Sequence, residues 1–213
     1  MEVKILELSE NSVKFVLSNS STMFANAIRR IAIAEVPSMT IDDVFVYENT
    51  SVLNDEIIAH RIDLTPLKTD LNTYVLPEKC KCQSEMGCNL CRATGSLDVE
   101  AGMKRTVYSG DLKFEDPNVF PVSDKIPIVK LESGQRIKLE VYARLGIGKQ
   151  HAKWQPVSTC VYKQMPIIHI NTKLCDACGL CVEVCPKKIL KVEKNRLIVL
   201  DVSSCTLCDE CVR

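Results

Sequence analysis

The chain has 213 residues, with 27 Lys+Arg against 27 Asp+Glu and 46% hydrophobic residues. That length suits one large or two small domains with a real core, and the hydrophobic share excludes a disordered chain. The charge balance leaves no global field to steer the protein onto nucleic acid, so no direct sequence-specific DNA binding is expected.

Twelve cysteines are many. In a secreted chain they would suggest a disulfide framework. The N-terminus MEVKILELSE, however, places acidic residues where a leader needs its apolar stretch. No run approaches the length of a membrane span. Several cysteines fall in Cys-x-x-Cys pairs, which is metal-ligand spacing. A cytoplasmic protein whose thiols bind metal, with no membrane association, is the expectation.

Val3 and Ile5, then Val13, Phe15 and Leu17, alternate with polar residues on either side of Ser9-Glu10-Asn11. That pattern predicts a β-hairpin over 3–17. Ser20-Ser21-Thr22 offers N-cap chemistry. Phe24, Ala27, Ile28, Ile31 and Ala34 then recur at helical spacing until Pro37 ends the helix. Ile33 and Val36 make this helix apolar on more than one side, which predicts a second packing surface on another chain. Arg29 and Arg30 read either as a solvated face or as a partner contact. Residues 41–47 predict a strand and 52–62 a short helix. From 74 to 144 the signals are β-like, clearest at Ile137, Leu139, Val141 and Ala143 after the turn Glu132-Ser133-Gly134-Gln135. A further strand pattern covers 157–170. There is no tandem repeat outside the cysteine motifs.

Within the β-like region lies Cys80-x-Cys82-x5-Cys88-x2-Cys91. Four soft ligands in a polar loop suit tetrahedral zinc, with disulfides as the alternative. Cys160 sits in an apolar stretch and reads as a buried thiol.

The last segment carries Cys175-x2-Cys178-x2-Cys181-x3-Cys185-Pro186, the bacterial-ferredoxin spacing, followed by Cys205-x2-Cys208-x2-Cys211. Lys188–Leu200 between them reads as a helical turn and a strand. In two-cluster ferredoxins the fourth cysteine of each run serves the other cluster. That rule gives one complete set, Cys205, Cys208, Cys211 and Cys185. The second set has Cys175, Cys178 and Cys181, with its fourth ligand expected past Arg213. One or two 4Fe–4S clusters are therefore expected, the second either 3Fe–4S or empty in this chain, and the native protein is expected to continue further. Cys160 is a less favoured substitute ligand.

No catalytic constellation is present. His60, His151 and His169 are scattered and read as structural. Gly146-Ile147-Gly148 lacks the third glycine and the strand-to-helix setting of a dinucleotide loop.

The stretch FANAIRRIAIAEVPSMTIDDVFVYENTSVLNDEIIAHRIDLTPL, residues 24–67, resembles the signature of the α-like subunits of RNA polymerases. Its specific part is Asn26-x-x-Arg29-Arg30 followed by Val36-Pro37-Ser38-Met39. LGIGKQHAKWQPVS, residues 145–158, is similar to a second block of the archaeal and eukaryotic members, and the ferredoxin-like segment points to the archaeal ones. The resemblance implies an α+β fold with an interrupted α-like dimerisation domain (1–40 and 157–171), a β-rich insert domain (41–156) and a ferredoxin-like two-cluster domain (172–213). The family's C-terminal dimerisation helix has no counterpart in these residues. The resemblance also implies a non-catalytic assembly subunit of DNA-directed RNA polymerase. Its partners would be the smaller α-like subunit L, the large catalytic subunits, and small subunits N and P nearby. Phe24, Ala27, Ile28, Arg29, Arg30 and Ile31 are the expected interface with subunit L. The competing readings are an electron-transfer subunit of a redox enzyme and a zinc scaffold unrelated to transcription.

Overall fold

In the computed structural model, residues 1–82, 84 and 87–212 are described, and the chain divides into two units, Met1–Cys160 and Val161–Arg213. The first unit is organised by two long strands, β3 (Pro37–Asn49) and β8 (Arg136–Ile147). They pair antiparallel from Pro37 opposite Ile147 to Asn49 opposite Ile137, with irregularities at Ile41/Asp43 and Val46/Glu48. The alternation read at 137–143 is real. Ile137, Leu139, Val141, Ala143 and Leu145 are all buried, as expected where one face of a sheet packs on a core.

On the other side of β8 lies β4 (Arg92–Glu100), bordered by the two-residue β6 (Lys113–Phe114), giving the order β3-β8-β4-β6. A separate ribbon pairs β5 (Arg105–Tyr108) with β7 (Pro127–Leu131). The expected short helix is α2 (Asp55–Asp63), whose Ile58 and Ile62, four apart, both enter the core. With Met39, Ile41, Leu97, Val107, Ile128 and Leu131, they form one continuous apolar cluster.

The block at 145–158 closes this unit. Ser38 Oγ donates to the Trp154 carbonyl at 2.7 Å, and Lys153 Nζ donates to Asp42 Oδ1 at 2.8 Å and to the Ile41 carbonyl at 3.1 Å. The Trp154 indole lies flat on the β8 backbone, where a Cβ at Gly146 would stand 2.3 Å from the ring. Gly148 does the same for the preceding helix, since a Cβ there would stand 2.2 Å from the Ile33 carbonyl oxygen. These two glycines are close-approach positions in a strand end and its turn, not part of a phosphate loop.

That helix is α1 (Thr22–Ala34), capped by Ser21, whose side chain accepts from the Phe24 N–H at 3.2 Å. Its last carbonyls meet the insert through the Lys149 N–H, which donates to Ala34 at 2.9 Å. The expected hairpin forms from β1 (Glu2–Leu8) and β2 (Val13–Ser18). All of β1 is exposed, and no residue of α1 is buried.

The second unit holds α3 (Leu180–Glu183) and a hairpin of β9 (Leu190–Glu193) and β10 (Arg196–Val199). Two expectations are corrected here. The segment 188–200 forms no helical turn, because Lys194 and Asn195 take φ of 49° and 61° and close a two-residue hairpin. Residues 157–170 form no strand. The alternation is there, but among the described residues no strand pairs with it, and Pro166 removes a donor from its middle. The core of this unit is small: Cys185, Ile189 and Leu190, with half-buried side chains around them.

Replacing Gly146 by Ala forces the indole off the strand. A loss of about 1–3 kcal/mol is expected from overpacking, read as a lower Tm. Trp154 is the sole tryptophan, so its emission should shift to the red. Wild-type melting and emission would contradict this packing.

Candidate metal centres

The first cysteine group is built by a turn and a strand. A 3-10 turn at Pro77–Lys79 delivers Cys80, and β4 begins directly after Cys91. Gly87, at φ 76°, lets the loop double back. The four sulfurs of Cys80, Cys82, Cys88 and Cys91 all lie within 4.8 Å of one another. Cys80 and Cys88 are 3.6 Å apart, Cys82 and Cys91 3.9 Å, and Cys88 and Cys91 3.9 Å. A tetrahedral zinc with Zn–S of about 2.3 Å needs sulfur–sulfur edges of about 3.8 Å. Disulfides need contact at about 2.05 Å, and all four thiols are free. The sulfur spacing suits a tetrahedral metal.

The two ferredoxin-type runs share one backbone. In the first, Ala177 and Gly179 have φ of 59° and 83°; in the second, Leu207 and Asp209 have φ of 57° and 59°. These are the second and fourth residues after the leading cysteine in each run. Left-handed residues at alternate positions coil a chain tightly and turn successive N–H groups to one side, the arrangement that surrounds anionic sulfur sites. For Ala, Leu and Asp that conformation costs about 1–2 kcal/mol each. Leucine does not signal such a conformation, which is why the second loop's geometry is not legible from residue types.

Cys185, Cys205, Cys208 and Cys211 converge on one cavity of about 200 Å³. Cys185 is 9% exposed. The Ile189 N–H, then those of Lys187 and Lys188, hold its thiol below the usual range. Burial pushes Cys211 up, helped by the nearby Cys185, Cys208 and Cys205. Four cysteine sulfurs gathered on one cavity form the donor set that an iron–sulfur cluster takes. Of the other set, Cys175 and Cys178 are exposed, while Cys181 is half-buried against the Cys185 core. Cys160 is half-buried.

The histidines divide. His151 Nδ1 accepts from the Lys153 N–H at 3.1 Å, and His60 Nδ1 lies 3.5 Å from Asp63. His169 lines the cysteine cavity instead, a placement that its isolated position in the sequence does not reveal.

The expected interface residues lie on two sides of α1. Phe24, Ala27 and Ile31, at i, i+3 and i+7, form one exposed stripe, with Phe24 42% and Ile31 48% exposed. Arg30 is exposed beside them, and Ile28 and Arg29 are half-buried. Arg29 Nε donates to Asn26 Oδ1 at 3.1 Å, which ties two residues of the signature together.

Comparison with known families follows this division of the chain. Residues 40–167 match the RNA polymerase Rpb3/RpoA insert domain, and residues 168–191 match the 4Fe–4S binding domain. The second match takes in the first run and Cys185 but stops short of Cys205. An α-like RNA polymerase subunit with an iron–sulfur segment is the class these features define. DNA-directed RNA polymerase subunit Rpo3 of Methanosphaera stadtmanae is 41% identical over 216 residues, covering 100% of this chain and 79% of that protein. The Methanosarcina acetivorans Rpo3 is 46% identical over 213 residues, covering 99% and 79%. That of Pyrococcus furiosus is 44% identical over 199 residues, covering 89% and 72%. The chain belongs to the Rpo3 family of archaeal DNA-directed RNA polymerase subunits. It is a polymerase subunit, and a redox-enzyme subunit is not favoured. No helix among the described residues is long and apolar enough to cross a membrane.

Without metal, the first cysteine group should alkylate unevenly. The Leu90 N–H and the neighbouring Cys80 thiol lower Cys88 to about 7, whereas burial raises Cys91 to about 12. The thiolate is the reactive form. At pH 7 Cys88 should therefore be modified well before Cys91, and raising the pH to 9 should not bring Cys91 level. Peptide mapping after brief alkylation reads this order, and equal rates would contradict the geometry.

Proposed function

We propose that this chain is the assembly subunit of its polymerase. It pairs with the smaller α-like subunit L and presents the pair as a platform for the two large catalytic subunits, with N and P nearby. The chain itself carries no catalytic residue. The observation that carries this reading is the apolar surface of the first 34 residues. Val3, Ile5 and Leu8 of the hairpin are 56%, 58% and 70% exposed, and α1 adds the exposed Phe24–Ile31 stripe. A two-stranded hairpin and a 13-residue helix are each marginal alone. An obligate heterodimer interface supplies the burial they lack.

Within that assembly the metals are structural. Cys185, Cys205, Cys208 and Cys211 hold one 4Fe–4S cluster, and Cys175, Cys178 and Cys181 supply three thiolates to a second. Cys80, Cys82, Cys88 and Cys91 hold zinc. Metal binding contributes folding free energy to segments too small to build a sufficient core. The three-residue core of the second unit supports that role.

Two experiments test the reading. Ile31→Asp, which buries a charge in the proposed interface, should weaken binding to subunit L by roughly 100-fold or more, measured by titration with purified subunit L. Unchanged affinity would remove α1 from the interface. The pair Cys205→Ser and Cys208→Ser, prepared anaerobically, should lose iron and impair docking of the large subunits while retaining one zinc and the pairing with L. Normal assembly of that iron-poor protein would end the structural role of the cluster.

A further inference from the structure

We propose that residues 161–170 carry the state of the Cys185–Cys205–Cys208–Cys211 cavity to the outer surface of their unit, with Lys163 as the positioning residue. This rests on the reading that the cavity holds an iron–sulfur cluster. The segment has no helix or strand of its own, so only side-chain and local contacts hold it. Those contacts lead to the cavity. Pro166, Ile167, Ile168 and His169 form part of its wall. Ile168 packs against the Cys185, Ile189 and Leu190 core. Lys163 Nζ donates to the Cys205 carbonyl at 3.1 Å, a charge-assisted bond to the residue that opens the second cysteine loop.

Burial along the segment alternates. Pro166, Ile168 and Ile170 are half-buried, while Met165, Ile167 and His169 are exposed, Ile167 at 82%. Half-buried Pro166 and Ile168 and exposed Ile167 and His169 all line the cavity. The second loop keeps Leu207 and Asp209 in left-handed backbone, a conformation that persists only while its surroundings over-determine it. Four thiolates drawn onto one cluster supply that constraint. With the cavity empty, the loop relaxes, the Cys205 carbonyl moves from Lys163, and the wall at 166–169 loses its backing. The cluster is thereby read through the order of a segment that lines its cavity and is also exposed to solvent.

Amide hydrogen exchange on the full chain tests this, comparing anaerobically reconstituted protein with protein prepared without iron, and counting iron in each. Filling should slow exchange across 161–170 by about tenfold, the worth of one charge-assisted hydrogen bond. Lys163→Ala should keep the wild-type iron count yet lose most of that slowing at 161–165, and Lys163→Arg should restore it. If iron loads and exchange at 161–170 is the same with and without it, the coupling is wrong and the cluster site stands. Lys163→Ala protein that cannot hold iron would also overturn it, making the lysine part of the site's own stability. Wild-type protein that takes up no iron at this set would overturn the site reading, and the coupling with it.

Discussion

The first 34 residues display more apolar surface than they can bury. Neither the hairpin nor α1 contributes a buried side chain, and the helix is anchored at its C-terminal end through the Lys149–Ala34 bond and the close approach at Gly148. Each buried Val, Leu, Ile or Phe is worth about 1.5–3 kcal/mol. Leaving half a dozen of them in water is a loss comparable to the whole stability of a small domain. The pairing proposed for this subunit would make up that deficit.

The chain meets the same requirement in three ways. The insert stabilises itself: the β3-β8-β4-β6 sheet, α2 and the ribbon enclose one apolar cluster, and Trp154 and Lys153 lock its open end. The second unit encloses only a small core, and the proposed metals would contribute the missing free energy there. The N-terminal part leaves its apolar side chains exposed, where the proposed partner would cover them. A subunit that assembles others combines a self-sufficient block with parts completed from outside.

Much of this was legible in the sequence where side chains repeat with the period of an element. Alternation at 137–143 marked β8, and helical spacing with a Ser cap marked α1 to within a few residues. The cysteine spacings announced metal because ligand geometry restricts how many residues can separate two thiols. What the sequence concealed depends on neighbours. Alternation at 157–170 signals an extended chain but cannot say whether another strand pairs with it, and among the described residues none does. The turn at Lys194-Asn195 lacks the glycine that usually marks a tight hairpin, so the two short strands read as something else. Lys163 and His169 carry no motif, and only the fold brings them to the second cysteine loop.

The central claim is that the first 34 residues become stable only against a partner. Hydrogen exchange of residues 2–34 in the chain alone and in its complex with the small α-like subunit tests it most directly. Fast exchange there in the free chain and strong protection in the complex are predicted, with β3 and β8 protected in both. Equal protection of residues 2–34 in the free chain would contradict it.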